Sequence, residues 1–146
     1  MEQKNKRQGK NKGFSLVELI IVIAIMAILV GAIAPQVMKY VERARESSDM
    51  QVENAILTAF VTAIGSSDAS VGDISVSDIA SNADTDYTSD LKSSIQEISG
   101  FTTNDAIKAK LKSKKGKDAT AGFAFSYAAD TGKISVKLGT LEAVTN

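Results

Sequence analysis

The chain has 146 residues, the size of one ordinary domain, and its 17 Lys and Arg cancel its 17 Asp and Glu. It contains no Cys, His or Trp, which excludes disulfide frameworks, zinc fingers, haem attachment and thiol or imidazole catalysis. The zero net charge is a sum over segments of opposite character.

Residues 1–13, MEQKNKRQGKNKG, carry Lys4, Lys6, Arg7, Lys10 and Lys12 against Glu2, a local charge of +4. Taking them from a neutral chain leaves −4 on residues 14–146. Alone, such a segment reads as a solvated tail. Its neighbour changes that reading. From Phe14 to Ala34 there are 21 residues with one charge, Glu18. As a helix at ~1.5 Å per residue the run reaches ~30 Å, the thickness of a bilayer's hydrocarbon. It is apolar on every face, unlike the striped helix of a soluble domain. Cations before it and few after it predict a single-pass precursor in the cytoplasmic membrane with a cytoplasmic N-terminus.

Three explanations of this segment compete. A cleaved secretory signal needs an A-x-A site, and Ala32-Ile33-Ala34 supplies one, but Pro35 follows it and Glu18 interrupts the apolar run. A plain signal anchor explains the hydrophobicity and leaves Glu18 as an interfacial accident. A cut between Gly13 and Phe14 gives Glu18 a purpose. Phe14 would then open the chain with an ammonium, and Glu18 stands four residues on, the helical neighbour distance. Pairing with the ammonium of an adjacent copy would also fix the register of packed apolar helices.

The string Gly13-Phe14-Ser15-Leu16-Val17-Glu18-Leu19, followed by IIVIAIMAILVGAIAPQ, resembles the N-terminus of type IV prepilins and type II secretion pseudopilins. The resemblance covers residues 1 to about 36. It implies cleavage after Gly13 by a prepilin peptidase, N-methylation of Phe14, and polymerisation from the membrane into a filament. It also implies that Glu18 meets a neighbour's Phe14 amine during assembly. The chain departs from many pilins in lacking the paired cysteines of a C-terminal loop.

After Pro35, apolar or small residues recur with helical spacing at Val37, Val41, Ala44, Ser48, Val52, Ala55 with Ile56, Ala59 with Phe60, and Ala63 with Ile64. The opposite face carries Lys39, Glu42, Arg43, Arg45, Glu46, Asp49 and Glu53 and is expected to be solvated. Phe14 to Ile64 is thus predicted to be one helix, with 14–36 its membrane and assembly half and 37–64 its amphipathic half. Pro35 has no amide proton and its ring meets the carbonyl of Gly31, so a kink or melted turn is expected between residues 31 and 36.

Residues 65–146 read as a polar globular head. The stretch 65–100 is rich in Ser and Asp, and no Lys or Arg falls between Arg45 and Lys92. Its apolar residues Val71, Ile74, Val76 and Ile79 suggest a clinging loop, with one helical turn near Ser77–Ala83. Ser89-Asp90-Leu91 opens a helix with Leu91, Ile95 and Ile98 on one face and Gly100 as its stop. Residues 104–114 fit either a short helix capped by Asn104 or Asp105, or an edge strand. Phe123, Phe125 and Tyr127 alternate, Asp130-Thr131-Gly132 turns, and Ile134, Val136 and Leu138 alternate back, a hairpin near 121–139. The expected class is α+β, pilin-like: a long N-terminal helix packed on a small antiparallel sheet of two or three strands.

Other chemistry is weaker. Asp84, Asp86, Thr88 and Asp90 alternate like the first ligands of a calcium loop, but Ser89 and Ile95 replace the required Gly and Glu. A solvated acidic loop is the default, and no cofactor or metal is assigned. Lys108, Lys110, Lys112, Lys114, Lys115 and Lys117 form a basic run, read as a solvated face balanced by the Asp-rich loop. Contact with DNA or another polyanion is the alternative. No nucleophile–base pair is visible, so the chain is read as a structural protein. The expected role is a subunit of a type IV pilus-like filament on the cell surface. Its expected partners are further copies and other pilins, the prepilin peptidase, the membrane assembly machinery and, before assembly, the lipid bilayer. A secretion or DNA-uptake pseudopilin is the alternative, and a surface domain that stays anchored without assembling is the rival.

Overall fold

A computed structural model describes residues 13–67, 70–81, 86–118 and 120–145. The basic leader up to residue 12, and Asp84 of the alternating acidic set, lie outside the described residues. The chain forms two units that divide between Lys39 and Tyr40.

Helix α1 runs over Leu16–Gly65, 50 residues, and so contributes to both units. At ~1.5 Å per residue it is ~75 Å long. In the first unit its side chains all face outward, and the segment is long and apolar enough to cross a membrane. The helix continues without a break through Gly31 and Pro35. The melted turn expected there is therefore absent from the single chain. Proline withdraws one donor from the ladder, while the turns on either side keep theirs.

In the second unit, residues 40–65 of α1 pack on an antiparallel meander. Strand β1 is Ile74–Val76, β2 Phe123–Ala128, β3 Lys133–Leu138 and β4 Leu141–Val144, in that spatial order. The hairpin forms as expected, with Phe125 opposite Val136 and Tyr127 opposite Ile134. β1 and β4 extend it on its two edges, so the sheet has four strands rather than two or three. Phe60 of α1 stacks on Phe125 at 5.8 Å and on Tyr87 at 6.1 Å between ring centroids, both nearly parallel. Ile56, Ala59 and Ala63 complete the α1 contribution to the core, and Ile74, Val136 and Leu138 the sheet's.

Helix α2 spans Ser89–Ser99, capped by the Thr88 hydroxyl, which accepts from the Leu91 N–H, and stopped by Gly100 at φ 74°. Leu91 and Ile95 are buried, but Ile98 is 48% exposed and does not join them. The ambiguous segment resolves as helix α3, Asn104–Lys110. Its cap is Thr103, neither Asn104 nor Asp105. The Asn104 amide is used elsewhere, accepting from the Ile79 N–H and donating to the Ser77 carbonyl. Residues 79–80 form a turn rather than a helix, closed by Ser81 N–H to the Asp78 carbonyl at 2.9 Å.

The buried stripe of α1 is not the expected one. Val37 and Val41 are 47% and 39% exposed, and Ala44 and Ala55 are exposed too, whereas Asp49 and Glu53 are fully buried. A periodicity argument places acids outside because an unpartnered buried carboxylate is costly. Here a loop supplies donors to Asp49, and the Leu138 and Ala143 amides of β3 and β4 lie by Glu53.

Candidate functional sites: the N-terminal segment and a carboxylate-anchored lysine loop

The first site is Gly13 to Glu18. Gly13, Phe14 and Ser15 precede α1 in non-helical backbone, and Phe14 is 93% exposed. Among the described residues nothing lies within 4 Å of a Cβ built on Gly13. Ser15 accepts the first helical bond through its carbonyl, from the Leu19 N–H at 3.2 Å. The Glu18 carboxylate reaches back to accept from the Ser15 N–H at 2.9 Å. Ser15-x-x-Glu18 is thus half of a capping box. This use of Ser15 was readable from its spacing to Glu18, though the charge argument alone passed it by. A negative charge at the N-terminus of a helix is also favoured by the helix dipole. One residue before Ser15 is the nitrogen that a cut after Gly13 would turn into an ammonium.

The second site is built on α1 in the second unit. Glu42, Glu46, Asp49 and Glu53 follow one another at spacings of four, three and four, and so share a face. The loop 111–117 after α3 lies along it. The Lys112 and Ser113 N–H groups each donate to one oxygen of Asp49 at 2.7 Å. The Lys114 N–H donates to Glu42, and Lys115 Nζ pairs with Glu46 at 3.1 Å. Consecutive amides converging on one carboxylate make an anion nest. Gly116 is required here, because a Cβ on it would stand 2.6 Å from Asp49 Oδ2. Gly139, at φ 63°, lets the β3–β4 turn press on the Lys115 carbonyl, which also accepts from the Thr140 N–H.

Glu53 continues the stripe under the sheet. It is 2% exposed and its Oε1 has no hydrogen-bond partner. Burial pushes its carboxyl up to about 7, against the lowering effect of the Leu138 and Ala143 amides, with Glu142 adding to the rise.

The six lysines are therefore placed as follows. Lys108 and Lys110 occupy the last turn of α3, and Lys112, Lys114, Lys115 and Lys117 the loop after it, all with exposed side chains. Of their ammonium groups Lys115 pairs with Glu46 of α1, where the sequence pointed to the Asp-rich loop. The signal that would have found this is the 42-46-49-53 spacing itself, which continues into Ile56, Phe60 and Ala63 of the core. Of the alternating acidic set, Thr88 is spent as a helix cap. Among the described residues no group of three or more His, Cys, Asp or Glu is placed to hold a metal ion.

Compared with curated proteins and with solved structures, the chain has no significant match. Residues 8–34 match the model of the prokaryotic N-terminal methylation motif. That stretch contains the exposed Gly13–Phe14 bond, the capping carboxylate of Glu18 and the start of the outward-facing apolar helix. The chain is thus a precursor bearing the prepilin-type cleavage and methylation signal, of the kind found on type IV pilins and pseudopilins.

Proposed function

We propose that the chain is a structural subunit of a type IV pilus-like extracellular filament. The precursor sits in the cytoplasmic membrane through the first half of α1, is trimmed after Gly13 by a prepilin peptidase, and is methylated on Phe14. It then polymerises with further copies and other pilins, drawn from the bilayer by the membrane assembly machinery. The observation that carries this reading is the pairing of the methylation motif with an apolar half-helix whose side chains are exposed among the described residues. Such a surface needs lipid before assembly and other subunits after it. Glu18 supplies the one charge in that surface and would neutralise the Phe14 ammonium of the same or a neighbouring copy. Gly31 and Pro35 mark the turn with the weakest ladder, the point where a filament under tension would unwind first. The lysine loop is assigned to the subunit's own packing through its amides, which donate to Asp49 and Glu42, and through the Lys115–Glu46 pair.

Intact-mass measurement of the mature protein tests the reading. A chain that begins at N-methylated Phe14 supports it. An N-terminus still carrying residues 1–13 sinks it in favour of a plain anchored domain.

A further inference from the structure

In the second unit a groove of about 370 Å³ opens beside α1. It is lined by Ser48, Val52 and Ala55 of α1, together with Phe101, Lys110 and Lys112; Val52 and Phe101 are half-buried at the margin of the core. No carboxylate lines it, and among the described residues neither lysine has an ion pair. The groove is apolar within, with two unmatched positive charges.

The opposite charge gathers at one end of the sheet. There Asp73 accepts from the Ala129 N–H at 2.8 Å, and Asp130 follows in the β2–β3 turn. The Asp86 carboxylate lies over Gly72, 2.7 Å from where a Cβ would be. Lys133, at the start of β3, is the basic residue that the strand register places at this end. The other end of β2 and β3, closed by Gly139 N–H to the Gly122 carbonyl, meets the lysine loop through Thr140 N–H to the Lys115 carbonyl. Six residues of strand, ~20 Å, separate the two ends.

Residues 14–146 carry −4, so copies repeated along a fibre repel one another unless unmatched cations meet a neighbour's acids. We propose that the groove receives the acidic sheet end of a second copy, with Lys110 and Lys112 facing that copy's Asp73 and Asp130. The two surfaces are different patches of one chain, so the contact is head-to-tail and repeats without closing, as a filament needs. The inference rests on the filament reading.

The absence of native cysteine gives a clean test. Filaments of the full chain carrying Lys112→Cys with Asp130→Cys, oxidised and run without reductant, are expected to give a ladder of covalent multimers. Either single substitution should give none beyond a dimer. Microscopically normal filaments with no ladder overturn the contact. A charge reversal covers the case where the cysteine variant fails to assemble. Lys110→Glu with Lys112→Glu is expected to lower sheared filament yield about tenfold, two exposed pairs at up to ~1 kcal/mol each being converted to repulsion. Adding Asp73→Lys with Asp130→Lys should restore it. Unchanged yield from the lysine reversal, or no recovery on the second reversal, overturns the proposal. Absence of filaments from the wild-type chain removes the filament reading instead.

Discussion

The two halves of α1 treat carboxylates in opposite ways. Residues 16–39 expose every side chain and carry one acid, Glu18, at the very start, where it closes the helix end. Residues 40–65 turn Asp49 and Glu53 inward, with Glu42 and Glu46 half-buried beside them. One half keeps an apolar surface unspent for surroundings outside the chain. The other burdens its own fold with charge, because a partner loop brings backbone donors to meet it. The lesson concerns supply: a carboxylate goes where N–H groups are otherwise unsatisfied, whether at a helix terminus or in a nest.

The largest expected effects come from the first half. A bulky acidic residue at Gly13, Gly13→Asp, should leave the precursor uncut while the head folds normally, since among the described residues a Cβ there meets nothing within 4 Å. The check is gel mobility of the full chain alongside circular dichroism. Cut product at wild-type levels would break the assignment of the site. Glu18→Ala should be cut and yet yield at least tenfold fewer filaments, counted by shearing and blotting; normal fibres would refute its role in assembly.

Next comes Asp49. Replacing it with Ala leaves the buried Lys112 and Ser113 amides without acceptors, a loss of about 3 kcal/mol on thermal or denaturant unfolding. A loss under ~1 kcal/mol would show that the nest is not anchored by this side chain.

Glu53 sharpens the contrast through pH. Its carboxyl stands at about 7 against an ordinary 4.5, so between those values the folded head holds a proton that the unfolded chain has released. The stability it contributes is full below about pH 4.5 and is lost as pH rises through about 7. Between pH 5 and pH 8 the expected fall is on the order of 2–3 kcal/mol at ~1.4 kcal/mol per unit. The full chain in detergent should therefore melt at lower temperature at pH 8 than at pH 5, and Glu53→Gln should remove most of that difference. An identical pH slope in the variant would exclude Glu53 as its source. Smallest of all is Lys115→Ala, which removes an exposed pair with Glu46 and should cost no more than ~1 kcal/mol.

Much of the architecture was legible because it is local. The α1 run, the Phe123–Leu138 hairpin and the cap and stop of α2 are each written in adjacent residues. β1 and β4 escaped because each is short, three and four residues, and gains its hydrogen bonds only from a neighbour already in the sheet. The inward acids escaped for a different reason. The donors to Asp49 lie 63 and 64 residues away along the chain, in a loop whose side chains are conspicuous and whose backbone is not, and the amides nearest Glu53 belong to β3 and β4, further on still. The basic run was read by its ammonium groups, while its amides hold the loop to Asp49 and Glu42. At the N-terminus the motif was fully legible, since Gly13, Phe14, Ser15 and Glu18 all fall within six residues.

The main-chain grip on the loop 111–117 divides its positions into two kinds. At Gly116 and Gly139 a side chain would collide with Asp49 or with the loop's own carbonyls, so drift there is barred. At Lys112 and Lys114 the bond to α1 uses only the amide, and the side chain is left to solvent. Charge at this surface is thereby uncoupled from shape. A lineage carrying this chain is free to rewrite Lys114 from basic to neutral or acidic without refolding the head beneath it, whereas Lys112 keeps its charge if it meets a second copy as proposed.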